Sequence, residues 1–182
     1  MRRKSFEDMH CPIARSLERV GDWWNMLIVR DALHGLTKFE QFQKSLAISP
    51  NVLTKRLADL VDCGILERQL YSEHPPRHEY LLTERGLDLR GVLLTLLAWG
   101  NKHFAPDGIS VRVMDSSSGR IVHPIVVDRA TGKPLDPATT RFVPGPAATE
   151  SVRRRLHHAA QQQPLVLRRA RRRKPNSAAS HA

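Results

Sequence analysis

Three observations predict a mainly α fold with a small β wing. Before residue 64, four segments carry apolar residues at helical spacing and are separated by glycines or cap residues. Two short strand-like runs, ILERQLY and HEYLLT, then flank a loop with two adjacent prolines. A long leucine-rich helix follows them. These are the parts of a winged helix-turn-helix. The rest of the chain reads as a short C-terminal β-hairpin appendix and a basic disordered tail.

The first helix, residues 13–20, puts Ile13, Leu17 and Val20 on one face, and Gly21 stops it. Asp22 caps the second, WWNMLIVRDALHG, which Gly35 ends. Thr37 starts the third, where Phe39, Phe42 and Leu46 mark a buried face. Ser49 before Pro50 is the strongest start signal, a cap residue with proline at the first helical position. That fourth helix runs to Gly64. Leu53, Leu57, Leu60 and Val61 fall within about 100° of arc, a core-facing stripe. Asn51, Lys55, Ala58 and Asp62 take the opposite face, with Thr54 beside them. A small, amide-bearing and basic face near a helix start suits a DNA groove, whereas a solubility face is richer in Glu and Lys.

The loop between the strand runs is SEHPPR, with Arg77 at its end. Its prolines stiffen the tip and cannot donate to a ladder. Thr83 caps the last long helix, from Glu84 to about Phe104. Between Val92 and Trp99 only Thr95 and Ala98 are not large and apolar. A helix apolar all round is buried all round, so the surplus predicts a partner surface, most simply a two-fold homodimer. Trp23, Trp24, Trp99 and Phe104 are read as core, with an aromatic ligand pocket as the alternative.

Helical periodicity ends after Ile109. VMDSSSGRIVHP (113–124) repeats as VVDRATGKPLDP (126–137). Asp followed by Ser or Thr and Gly is turn chemistry, so the repeat predicts two successive β-hairpins. The appendix braces packing or the dimer, or covers an effector pocket. Its turn positions hold Asp115, Ser118, Asp128 and Thr131, not a zinc-binding set, and no metal is expected.

The chain has 182 residues, 41% hydrophobic and 26% charged, which fits one soluble domain with an extension. No apolar run is long enough to span a membrane, and MRRKSFEDMHCPIARS lacks the apolar stretch of a secretory signal. The expected location is cytoplasmic, at the nucleoid. Two cysteines cannot make a disulfide framework. The net charge is +11, but nine of the 29 basic residues lie after Glu150, where no acidic residue occurs. The preceding part, with 20 basic and 18 acidic residues, is nearly neutral, so the global charge says little about what the fold binds. The expected divisions are an N-terminal arm (1–10), a DNA-binding and dimerisation domain (11–106), the hairpin appendix (107–148) and the tail (149–182), a frayed helix to about residue 162 and disordered after it. No G-x-S-x-G, glycine-rich phosphate loop or Cys/His nucleophile pairing is present, so neither an enzyme nor a cofactor is expected.

Several separated motifs carry a family resemblance. They are Gly21-Asp22-x-Trp24, Ile-Ser-Pro-x-x-Leu-Thr-x-Arg-Leu at 48–57 and Pro-Pro-Arg-x-Glu-Tyr at 75–80. From about Cys11 to Phe104 the chain resembles the HxlR transcriptional regulators, relatives of the MarR winged-helix group. The resemblance implies homodimers on palindromic or near-palindromic operators, with double-stranded DNA and a second copy as partners. It places Ser49, Asn51, Thr54, Lys55 and Arg56 at the major groove, Arg56 on backbone phosphate because it flanks the core stripe. Arg77 is the wing contact, with His74 and His78 as lesser candidates. The implied dimer interface joins the first and last helices through Ile13, Leu17, Leu93, Leu96, Leu97 and Trp99.

Some relatives place an oxidant-sensing cysteine before proline, and Cys11-Pro12 matches that position. Basic neighbours are the setting in which thiols become reactive, while a small packed residue is the plainer reading. Cys63 is read as a packed structural thiol. The effector is therefore a small molecule or an oxidant or electrophile acting on Cys11. The expected function is a DNA-binding transcriptional regulator, a repressor. Two rivals are a winged-helix module that binds protein, and a nonspecific nucleic-acid binder driven by the tail run RRARRRK (168–174).

Overall fold

The computed structural model describes residues 5–161. The described residues form two compact units, 5–125 and 126–161. Arg2, Arg3 and Lys4 of the arm and the basic run at 168–174 lie outside the described residues.

The first unit opens with four helices: α1 (Pro12–Val20), α2 (Trp23–Leu33), α3 (Phe39–Leu46) and α4 (Pro50–Asp62). Asp22 caps α2 by accepting from the Trp24 amide at 3.0 Å. The start of α3 differs from expectation: its cap is Lys38, not Thr37. Gln41 Oε1 accepts from the Thr37 and Lys38 amides at 3.0 and 2.9 Å, so a side chain inside the helix closes its own start. Ala47, in the left-handed conformation at φ 49°, makes the turn into α4.

The wing follows as β1 (Leu66–Glu73) and β2 (Pro76–Leu82), antiparallel, with Leu66 opposite Leu82 and Arg68 opposite Tyr80. The hairpin is tighter than the expected six-residue loop. Glu73 pairs with Pro76 and Ser72 with Arg77, leaving only His74 and Pro75 in the turn. Pro76 occupies the first residue of its strand, where a missing amide is tolerated. Residues 37 and 38 add a third rung: Lys38 bridges Glu79, and the Tyr80 amide donates to Thr37 O at 2.8 Å.

Val20, Ile28, Val29, Phe42, Ile48, Leu53, Leu57, Leu60, Ile65 and Leu66 form one buried core cluster. Three of the four predicted stripe residues of α4 are fully buried, and Val61 packs against them half-exposed. The last long helix, α5 (Glu84–His103), starts at Thr83, whose Oγ1 accepts from the Gly86 amide. Among its residues only Gly86 is buried.

The aromatic expectation is corrected here. Trp24 packs on the core, but Trp23 is 74% exposed, and Trp99 and Phe104 are also exposed. Trp99 and Phe104 meet edge to face at 4.8 Å near the end of α5. Chain-local apolar density cannot distinguish a core from an uncovered face.

The first hairpin of the repeat is β3 (Val113–Met114) paired with β4 (Ile121–Val122). In its turn the Gly119 amide donates to Asp115 O at 2.8 Å, and Ser118 Oγ donates to Asp115 Oδ2 at 2.7 Å. The second unit builds the same turn. The Gly132 amide donates to Asp128 O at 2.8 Å, and Thr131 Oγ1 donates to Asp128 Oδ2 at 2.7 Å. Gly119 and Gly132 both take positive φ, 67° and 66°, which is why each repeat carries glycine there. The second hairpin keeps the register, Val127 opposite Pro134, but proline offers no amide and the pairing shrinks to one bridge. The second unit also contains α6 (Glu150–Gln161), none of whose residues is buried.

Candidate nucleic-acid interface

The fourth helix presents two unlike halves. Ser49 caps it, its Oγ 3.5 Å from the Val52 amide. Asn51, Thr54 and Lys55 are exposed in the first half, opposite the buried leucines. Asp59 and Asp62 stand in the second half. Donors and one cation thus cluster at the helix start and carboxylates at its end. A polyanion is attracted to the first half, where the helix dipole is also positive, and repelled by the second. Val52, 37% exposed on the same side, adds an apolar group of the kind that meets a thymine methyl, and the stripe argument passed over it.

The two basic residues of this helix differ. Lys55 Nζ reaches Asp59 Oδ1 at 3.1 Å, one turn on, as an exposed pair of small energy. It is available to an incoming phosphate or base. Arg56 is held. Its Nη2 lies 2.6 Å from Asp22 Oδ2, the carboxylate that caps α2, and its Nη1 lies 3.4 Å from Asp59 Oδ2. The structure thus gives Arg56 a tie between helices.

Arg77 stands exposed beside the hairpin turn, opposite Ser72, with no ion pair among the described residues. His74 is exposed at the turn itself. His78 is engaged: Arg68 Nη2 donates to its Nδ1 at 2.9 Å. Lys38 Nζ sits 4.7 Å above the Tyr71 ring, which brings a cation from the start of α3 to the wing. Its sequence neighbours gave no sign of this, since the contact depends on the third rung. Lys44, exposed in the last turn of α3, is a further cation that sequence reasoning left out.

The six apolar residues predicted at a dimer interface separate into two groups. Ile13 (62% exposed), Leu17, Leu96 and Trp99 (53%) are uncovered on α1 and α5. Leu93 packs against the core and Leu97 is half-buried. Leu87 and Val92 of α5 are also exposed. A cavity of about 470 Å³ lies between the end of α5 and the first hairpin, lined by Leu97, Asn101, Ile109, Val113 and His123 among others. Asn101 Nδ2 donates to Val111 O at 3.0 Å, tying the end of α5 to the segment before the first hairpin.

Cys11 is the residue before α1 and is half-buried. Cys63 closes α4. Burial pushes its thiol up, and its Sγ donates to Leu60 O at 3.5 Å, the behaviour of a packed thiol. Among the described residues no group of three or more His, Cys, Asp or Glu is placed to hold a metal, and no helix is long and apolar enough to cross a membrane.

Comparison with known proteins agrees with this geometry. Residues 19–107 match the model of the HxlR-like helix-turn-helix family. The chain is 34% identical over 135 residues to Mb3122 of Mycobacterium bovis, an uncharacterised HTH-type transcriptional regulator, covering 74% of this chain and 85% of that one. The solved structure of PA1607, a proposed transcription factor, superposes with a TM-score of 0.69 at 40% identity, over 77% of this chain and 99% of that one. A second proposed transcription factor, PA1374 of Pseudomonas aeruginosa, gives 0.59 at 50% identity, over 80% and 100%. The relatives are regulators rather than enzymes. With four helices, a wing and the motif order in place, the chain belongs to the HxlR-like helix-turn-helix family of transcriptional regulators.

Proposed function

We propose that this protein is a homodimeric repressor that binds a palindromic operator, one α4 helix per half-site. The observation that carries the reading is the polarity of α4. Its buried leucines fix one face, while Ser49, Asn51, Thr54 and Lys55 line the exposed start. In this reading Asn51 bonds an adenine edge, Lys55 a guanine or phosphate, and Arg77 the backbone or minor groove beside the wing. Arg56 is not assigned a DNA contact, because its guanidinium is already committed to Asp22. The exposed apolar residues of α1 and α5 support the second copy, since isolated chains seldom leave such a strip uncovered. A two-fold dimer sets half-sites about one helical turn apart. Repression follows most simply from operator occupancy that excludes polymerase.

The proposed effector is a small molecule in the cavity between α5 and the first hairpin, which is mainly apolar with a few polar groups. Oxidation of Cys11 is the second arm. Operator binding is measured on the upstream intergenic duplex, with and without mild oxidant, beside Cys11→Ser. Loss on oxidation that Cys11→Ser abolishes assigns the effector to the thiol. Indifference to oxidant leaves the cavity as the effector site. Loss of DNA binding in Lys55→Ala with Arg77→Ala also separates this function from a protein-binding module, which would keep its partner.

A further inference from the structure

The end of α4 is joined to the start of α5 through three consecutive backbone carbonyls. Arg85 Nη1 donates to Cys63 O at 2.7 Å. Thr83 Oγ1 lies 2.7 Å from Gly64 O and 3.2 Å from Ile65 O, and the Thr83 amide donates to Ile65 O at 3.1 Å. These carbonyls lie beyond the reach of the helix's own closing bonds. The Ile65 amide turns back to Leu60 O and the Gly64 amide to Val61 O, the glycine-ended closure that φ 68° at Gly64 permits. The fit is close. A Cβ on Gly64 would lie 3.2 Å from Arg85 Nη1, and one on Gly86 would lie 2.3 Å from Ile65 O.

We infer that Arg85 is a positioning residue for DNA recognition, acting through the Cys63 carbonyl to fix α4 against α5. The guanidinium places a cation at the negative end of the recognition helix. Because α5 also carries the exposed apolar strip, this joint would convert the placement of α5 in a dimer into the placement of α4 on DNA. The inference rests on the DNA-contact reading above, but its test separates the two.

The experiment uses the full chain as wild type, Arg85→Ala and Gly64→Ala. Gly64→Ala disturbs the same joint from the other side without removing charge. Fluorescence anisotropy on the operator and on an unrelated duplex, over a salt series, is combined with amide exchange over residues 60–66. Both variants are expected to lose about tenfold in operator affinity, the scale of one charge-assisted hydrogen bond. Affinity for unrelated duplex should stay within about twofold, and the salt slope should not change. Exchange at the end of α4 should rise. An Arg85→Ala slope reduced by about 0.9, with both duplexes weakened equally, would identify a phosphate contact and overturn the inference. Unchanged operator affinity in both variants overturns it too. If the wild type shows no operator preference, the DNA reading fails. Exchange then decides: a rise in Arg85→Ala retains the strut, and no rise removes it.

Discussion

Arg56 Nη2 lies 2.6 Å from Asp22 Oδ2, tying α4 to the residue that caps α2. The two side chains are 21% and 18% exposed, and Arg56 Nε is buried without a partner. Removing one member strands a poorly solvated charge, which costs more than the loss of a surface pair. Arg56→Ala should therefore cost about 2 kcal/mol in urea unfolding. Lys55→Ala, which breaks only the exposed pair with Asp59, should cost under about 0.5 kcal/mol. Equal costs would show that the Asp22 tie adds nothing to the fold.

The turn between α3 and α4 contains the one non-glycine residue with positive φ among the described residues, Ala47 at φ 49°. An L side chain pays a steric penalty there that glycine does not. Ala47→Gly should raise stability by up to about 1 kcal/mol despite the larger entropy of an unfolded glycine. A fall in the urea midpoint would mean that the Ala47 methyl makes contacts outweighing the strain.

The twin turns of the repeat predict a pH response. Hydrogen bonds from Ser117, then Ser118, hold the Asp115 carboxyl below its ordinary 3.8, and Thr131 does the same for Asp128. A depressed folded value means the turns gain stability that is present above the ordinary carboxylate range and lost as pH falls through the lowered value. Carboxyl carbon chemical shifts followed by NMR should show both groups titrating below 3.8. Ser117→Ala and Thr131→Ala should each return the neighbouring aspartate toward that value. Titration of Asp115 and Asp128 at the ordinary value in the wild type would contradict the turn geometry.

The apolar strip predicts an assembly. Leu96→Glu, at a position exposed in the single chain, should leave each fold intact and convert a dimer into a monomer in sedimentation velocity. A wild-type chain that sediments as a monomer at tens of micromolar would remove the dimer from the proposal.

Much of this architecture was legible in the residues. Asp22, Ser49-Pro50 and Thr83 announced three helix starts because a cap is a local bargain between one side chain and the next turn. The repeat predicted its own turns, since Asp, Ser or Thr and Gly satisfy one another within five residues. What stayed hidden depends on residues distant in sequence. The third rung at Lys38 needs β2 beside it, and the Arg56–Asp22 pair joins positions 34 residues apart. The exposure of Trp23, Trp99 and Phe104 follows from what α2 and α5 lack beside them, which no local pattern encodes. On α4, the angular spacing put Asn51 and Lys55 opposite the leucine stripe, and both are exposed there. It could not foresee that Arg56 was already engaged while Lys55, paired only at the surface, remained available.

The central claim is that the start of α4 and the wing together read duplex DNA. Its most direct test is anisotropy on the upstream intergenic duplex against an unrelated duplex, with Asn51→Ala and the pair Lys55→Ala and Arg77→Ala. The wild type should prefer the intergenic duplex. Asn51→Ala should lose about 1–3 kcal/mol on that duplex alone, and the paired variant should weaken both and lower the salt slope by about two. Wild-type binding that ignores sequence, or affinities that these three substitutions leave untouched, would contradict the account.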